Sequence, residues 1–310
     1  MSIARVAVFV ALALAGGATA TRAQPPLRFE TGDSGIQISA LNRPVASYVW
    51  RDAEILRPYF AHLHTPGGVQ VSRRHPPVEG QDATDHAAMH PGVWLGFGDL
   101  SGADFWRNKG AVKHVNLLEP PLIDADGGQF AVKNAYTKGD RTVCEEVCRV
   151  RFDVGPAGYW ITMDSTFSGS EEFYFGDQEE MGLGIRVATP ITVKNGGRIV
   201  NSDGLVNESQ VWGKPADWCD YSGTIDGRKV GLLIAPHPDN FRRSWFHARD
   251  YGVLVANPFG QQAFTKGEKS KVVVRPGESL RLRFGVLLHE GDVDLSALYQ
   301  DWLRAVRNAN

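Results

Sequence analysis

Cysteine is scarce: there are three in 310 residues. In an exported chain an odd number leaves at least one thiol free or paired outside the chain, which excludes a disulfide scaffold. On one continuous strand Cys144 and Cys148 would stand about 13 Å apart at ~3.3 Å per residue, too far to bond. No second Cys or His pair stands at structural zinc spacing. Past the first residues no apolar run approaches the roughly 20 residues of a spanning helix, so no membrane span is expected. An excess of one charge is missing too. The 33 Lys and Arg are interspersed with 35 Asp and Glu, so no field recruits nucleic acid or an anionic membrane. Internal repeats, low-complexity tracts and dividing linkers are absent.

What is present begins at the N-terminus. Arg5 precedes the run VAVFVALALA and then small residues through Ala23, the layout of a secretory signal peptide. Residues 1–23 are therefore expected to be removed, and residues 24–310 to form one domain of a periplasmic or secreted protein.

Most periodic segments have a period of two, which marks strands: residues 36–39, 46–50, 147–154, 159–165, 230–234 and 279–286. Turn chemistry separates them, at Asp126-Gly127-Gly128, Asn195-Gly196-Gly197, Asp226-Gly227 and Pro276-Gly277. One helix stands out, over residues 295–306, where Leu295, Leu298, Tyr299, Trp302 and Val306 recur at three and four residues after Asp292 or Asp294 as N-cap. The pattern predicts a mainly β fold, an antiparallel sandwich with this helix packed on it. The loop from Thr65 to Pro91, dense in Gly, Pro, His and charge, is too long for a mere connection.

Three clusters carry possible chemistry. The first is His62, His64, His75, His86 and His90, able in principle to bind a transition metal or move protons near neutral pH. The second runs from Gly176 to Arg186, where an Arg on an apolar strand needs a partner and Glu180 is the nearest candidate. The third spreads over Trp212, Trp218, Asp220, Tyr221, His237, Trp245, His247, Arg249, Asp250 and Tyr251. Aromatic faces mixed with carboxylate, imidazole and guanidinium suit a sugar, whose C–H faces stack and whose hydroxyls hydrogen-bond. Cys219, with no cationic neighbour in sequence, reads as a packed thiol.

These segments also resemble a known family. Arg57-Pro-Tyr-Phe, Gly92-Val-Trp-Leu-Gly-Phe-Gly-Asp99, Gly184-Ile-Arg186, Asp220-Tyr-Ser-Gly223, His237-Pro238, Arg249-Asp-Tyr-Gly252 and Asn257-Pro-Phe-Gly260 are similar to the DUF6807 family across nearly the whole chain. Its members are often labelled methane oxygenase PmoA, a label that does not suit a chain without a spanning helix. The resemblance implies an exported protein of polysaccharide-degrading bacteria, with a large antiparallel sandwich like that of galactose mutarotase.

The leading expectation is an exported carbohydrate-active enzyme using general acid/base chemistry, with hydrolysis ahead of elimination or epimerisation. Glu180 or Asp220 would be the base and His90 and His247 the acid candidates. Arg186 and Arg249 would orient hydroxyl or carboxylate groups, and Trp212 or Trp218 would stack the ring. Arg57, Tyr221, His237 and Asp250 complete the expected substrate-binding set, with no metal and no cofactor. Two alternatives stand beside it: a glycan-binding protein without catalysis, and a metal-dependent enzyme using His62, His64, His86 and His90.

Overall fold

A computed structural model describes residues 27–308; the expected signal peptide lies outside the described residues. The chain begins with strands β1 (Leu27–Thr31), β2 (Gly35–Ala40), β3 (Arg43–Val49), β4 (Tyr59–Ala61), β5 (Val93–Phe97) and β6 (Ala111–Ile123). Next come β7 (Gly127–Lys138), β8 (Arg141–Gly155), β9 (Gly158–Ser168), β10 (Phe173–Phe175), β11 (Met181–Arg186) and β12 (Arg198–Asn201). The short helix α1 (Asn207–Val211) leads to β13 (Cys219–Ile225), β14 (Arg228–Pro236), β15 (Trp245–Arg249) and β16 (Val253–Asn257). Helix α2 (Gln261–Thr265), β17 (Val272–Val274), β18 (Leu280–Glu290) and helix α3 (Leu295–Asn308) complete it.

Two eight-stranded antiparallel sheets face each other. The first has the order β1-β2-β3-β4-β5-β11-β16-β15 and the second β12-β13-β14-β18-β9-β8-β7-β6, with β10 and β17 forming a small ribbon. The period-two segments are the cause of this layering. In β11, Met181, Leu183 and Ile185 enter the core between the sheets, which leaves Gly182, Gly184 and Arg186 on the outer face. In β14 both faces are covered: Val230, Leu232 and Ile234 face the core, while Leu233 and Ala235 lie beneath α3. That double cover explains an apolar run with no polar side.

Helix α3 packs as its stripe predicts, with Tyr299, Trp302 and Leu303 against Trp160, Trp218 and Leu287. Asp294 accepts the Ala297 N–H at 3.0 Å and so caps its first turn. The Asp226-Gly227 pair, both at positive φ (50° and 76°), turns the β13–β14 hairpin. The three cysteines are free and buried, and burial pushes the Cys219 thiol well above its usual value.

Candidate functional site

The chemically richest surface is the outer face of the first sheet, turned away from the core. Across it, pairing aligns Tyr59, Trp94, Gly184, Val255 and His247 in one row and Arg186, Val253 and Arg249 in the next. With strands about 4.8 Å apart, the Arg186 and Arg249 backbones stand about 10 Å apart, with only Val253 between them. Glycine makes the floor. A Cβ on Gly184 would lie 2.6 Å from the Trp94 ring and 3.1 Å from Trp106, so the indoles rest on bare backbone. The two rings meet edge to face at 5.2 Å, with the Arg57 guanidinium over both.

Two buried arginines shape the loops above this floor. Arg57 donates to the carbonyls of Trp106 (2.8 Å) and Met89. Arg73 donates to the carbonyls of Ala83 (2.8 Å), Asp85 (2.6 Å) and His90 (2.9 Å). The long histidine-rich loop is thus wrapped around the Arg73 guanidinium, and its backbone joins β11 through Arg73 N–H to Arg186 carbonyl at 3.0 Å. Burial lowers the Arg57 guanidinium to about 10, which leaves it cationic at neutral pH.

The loop delivers Asp85 to Arg186. Two parallel hydrogen bonds, 2.9 and 2.7 Å, join the carboxylate to a guanidinium that is only 1% exposed. Asp85 also holds His86 Nδ1 at 2.9 Å, and the His86 ring is 44% exposed. Burial pulls the Asp85 carboxyl upward, but hydrogen bonds from Arg186 and His86 and the nearby guanidinium charges outweigh it and hold it well below the usual carboxylate range. Behind them His90 stacks flat on Trp94 at 5.0 Å, its two ring nitrogens buried without partners. Burial, then the charges of Arg186, His86, Arg57 and Arg73, push its pKa down to about 2, so the ring is neutral.

A second group lies across Tyr251. Arg249 bonds Glu208 (2.8 Å), Glu179 (3.3 Å) and His247 Nε2 (3.3 Å). Because Nε2 accepts from Arg249, the His247 proton sits on Nδ1, 3.4 Å from Glu179 Oε2. The His247 ring and the Arg249 charge hold the Glu179 carboxyl below its ordinary value, while burial lowers His247. The two groups converge on Tyr251. Its ring faces Arg186 at 5.0 Å and His86 at 6.3 Å, and the charges of Arg186, Arg249, Asp85 and Glu208 all act on its phenol, which burial raises.

This face gathers Arg57, His90, Arg186, Trp212, His247 and Arg249 from the residues expected from the sequence. Trp212 stands under the Arg249 guanidinium at 5.8 Å. Tyr221 and Asp250 support it: the Tyr221 hydroxyl donates to the Asp250 carbonyl at 2.9 Å, and Asp250 Oδ1 accepts the Glu208 N–H at 2.9 Å.

Other expectations are corrected. Arg186 pairs with Asp85, and Glu180 pairs with Arg107 instead. Asp220 lies on the second sheet, bonded to His289 at 2.8 Å on that sheet's outer side. Trp218 is buried under α3, and His237 packs on Trp302 at 5.8 Å. The four-histidine metal group does not assemble: His62 has φ +53°, which breaks strand alternation, and His64 Nδ1 turns to the His62 carbonyl at 2.5 Å. Among the described residues no three His, Cys, Asp or Glu side chains could hold a metal ion.

Sequence reasoning missed Asp85 as the partner of Arg186, His86 as the imidazole bonded to it, and Glu208; Glu179 and Tyr251 fell within the candidate clusters but were given no role. The need of Arg186 for a partner was visible, but the partner stands 101 residues away. Glu208 sits in a one-turn helix that carries no periodicity to notice.

A family model described as "Family of unknown function (DUF6807)" matches residues 35–302. No curated protein matches the chain. Among solved structures it is similar to a galactose mutarotase related enzyme from Lactobacillus acidophilus, at 11% identity and TM-score 0.38, over 85% of this chain and 97% of that one. A galactose mutarotase-like protein from Clostridium acetobutylicum gives 10% identity and TM-score 0.40, over 87% and 99%. A putative aldose 1-epimerase from Escherichia coli K12 gives 14% and 0.33, over 86% and 99%. At these scores the likenesses say nothing about the site.

Proposed function

The chain belongs to the DUF6807 family, and on that premise we propose that it is an exported carbohydrate-active enzyme acting on a sugar or glycoside by general acid/base chemistry. One observation carries the reading. Two carboxylate–imidazole pairs, Asp85–His86 at 2.9 Å and Glu179–His247 at 3.4 Å, lie over the same face of one sheet, the first against the Tyr251 ring and the second bonded to Arg249, whose charge also acts on Tyr251.

The pairs are chemically unlike. His86 is half exposed and oriented by Asp85, itself clamped by Arg186, so its free nitrogen is available to a bound ligand. Glu179, 39% exposed and kept ionised by its neighbours, suits the role of base, while the buried His247 orients it. An acid on one side of a ligand and a base on the other serve hydrolysis, elimination and epimerisation alike. Arg249 is the group that would orient a hydroxyl or carboxylate, and Trp212 and Tyr251 provide aromatic faces for the ring.

A screen of monosaccharides, uronic acids and aryl glycosides for binding and turnover tests this reading, with Arg249→Ala as the control. The expected result is turnover of at least one compound, lost or strongly weakened in Arg249→Ala. Saturable binding with no turnover of any of them would favour a glycan-binding protein, and indifference to Arg249→Ala would remove this face from the account.

A further inference from the structure

We propose that the outer face of the second sheet carries a separate binding site for a sugar acid, built on Asp220 and His289. Pairing places Arg198, Ser222, Gly231 and His289 in one row across β12, β13, β14 and β18. Gly231 is the residue that makes the arrangement fit. A Cβ there would stand 2.4 Å from His289 Nε2 and 2.6 Å from the Ser222 Cβ, so the imidazole leans over bare backbone to reach Asp220 Oδ1 at 2.8 Å.

Both side chains of this pair are at least nine-tenths buried, yet each keeps one atom without a partner: Asp220 Oδ2 and His289 Nδ1. Buried polar atoms are normally satisfied, so two orphans on one hydrogen-bonded pair call for a ligand. They line a cleft of about 420 Å³ together with Ser222, Thr224 and Arg198, within the range of roughly 300–1,000 Å³ typical of small-molecule sites. In the neutral ring Nε2 donates to Asp220, which makes Nδ1 an acceptor.

Two acceptors on one pair require two donors, which hydroxyls of a sugar ring supply. The rim adds a charge preference. Lys229 is already paired with Asp292, whereas Arg198 is exposed and has no ion-pair partner among the described residues. A ligand with hydroxyls and a carboxylate, a uronic or aldonic acid, satisfies floor and rim together. The hydrophobic core lies between this cleft and the face that carries Glu179 and His86, so the two sites are independent.

Calorimetric titration of the intact protein with galacturonate tests the proposal. Wild type should bind saturably at millimolar concentrations, and Arg198→Ala and His289→Gln should each weaken binding by about tenfold or more, as loss of a charge-assisted or buried hydrogen bond does. Arg198 is exposed, so that variant keeps its fold even where His289→Gln does not. Arg249→Ala, which removes the ligand-orienting guanidinium of the other face, should leave galacturonate affinity at this cleft unchanged. The absence of saturable binding in wild type, or affinity equal to wild type in Arg198→Ala, would overturn the proposal; loss of binding in Arg249→Ala alone would move the ligand to the other face and overturn it equally.

Discussion

Asp85 grips Arg186 through both carboxylate oxygens, at 2.9 and 2.7 Å, and so ties a surface loop to the middle of the first sheet. The guanidinium is buried and the carboxylate partly open to solvent. Replacing Asp85 by Asn leaves a buried cation without its counter-charge. A fully buried broken pair costs about 3–5 kcal/mol, and solvent around Asp85 reduces that to about 1–3 kcal/mol at neutral pH. Because the folded carboxyl is held below its usual value, its stabilisation is present above the unfolded pKa near 3.9 and is lost as pH falls through the lower folded value. Urea unfolding of wild type and Asp85→Asn should therefore differ at pH 7, and the difference should begin to shrink only below about pH 4, as the carboxyl protonates.

His90 contributes with the opposite sign of linkage to a paired histidine. Its folded pKa is about 2, against about 6.5 in the unfolded chain. Between those values the unfolded state binds one more proton, so folding stability falls as pH drops below about 6.5, by up to about 1.4 kcal/mol per pH unit. In His90→Asn that part of the slope should vanish. Chemical denaturation at pH 5, 6 and 7 measures it directly, and equal slopes in the two proteins would refute the buried neutral ring.

Arg73 organises the loop rather than any ligand. Arg73→Ala removes the donors to Ala83, Asp85 and His90 at once, leaving one buried and two part-buried carbonyls unpaired. A destabilisation on the order of 3 kcal/mol is expected, together with protease cleavage between residues 74 and 90. Limited proteolysis followed by mass spectrometry reads both the rate and the place.

Gly184 is needed for the space above it. Its backbone is ordinary, but a Cβ would press on the Trp94 ring at 2.6 Å. Gly184→Ala should shift the intrinsic tryptophan emission and weaken sugar binding at this face, with a stability loss of about 1–3 kcal/mol from overpacking. Unchanged emission and affinity would show that the indoles have room to move.

The scaffold is far more legible in the sequence than the site. Strands such as β9, β14 and β18 and the α3 stripe are local patterns, set by which side of one element must be apolar. The Asp226-Gly227 turn is equally local, because two successive positive-φ residues favour that dipeptide. The site depends on contacts that no window contains. Glu180 seemed the natural partner of Arg186 at six residues' distance, but it precedes β11 and turns to Arg107, while Asp85 arrives on a loop folded around Arg73. Asp220 and His247 read as one aromatic-rich cluster, yet β13 and β15 belong to different sheets, so their outward faces point apart. Periodicity says that a residue faces outward from its sheet, and only the topology says from which sheet.

The proposed catalysis needs both carboxylate–imidazole pairs, Asp85–His86 and Glu179–His247. The most direct test is the turnover number of Asp85→Asn and Glu179→Gln on the best substrate from the screen, with ligand affinity measured on the same samples. The account predicts losses of about 10²- to 10⁴-fold in turnover with affinity largely kept, and a Glu179→Gln variant that folds as wild type. Turnover at the wild-type rate in both variants would contradict it.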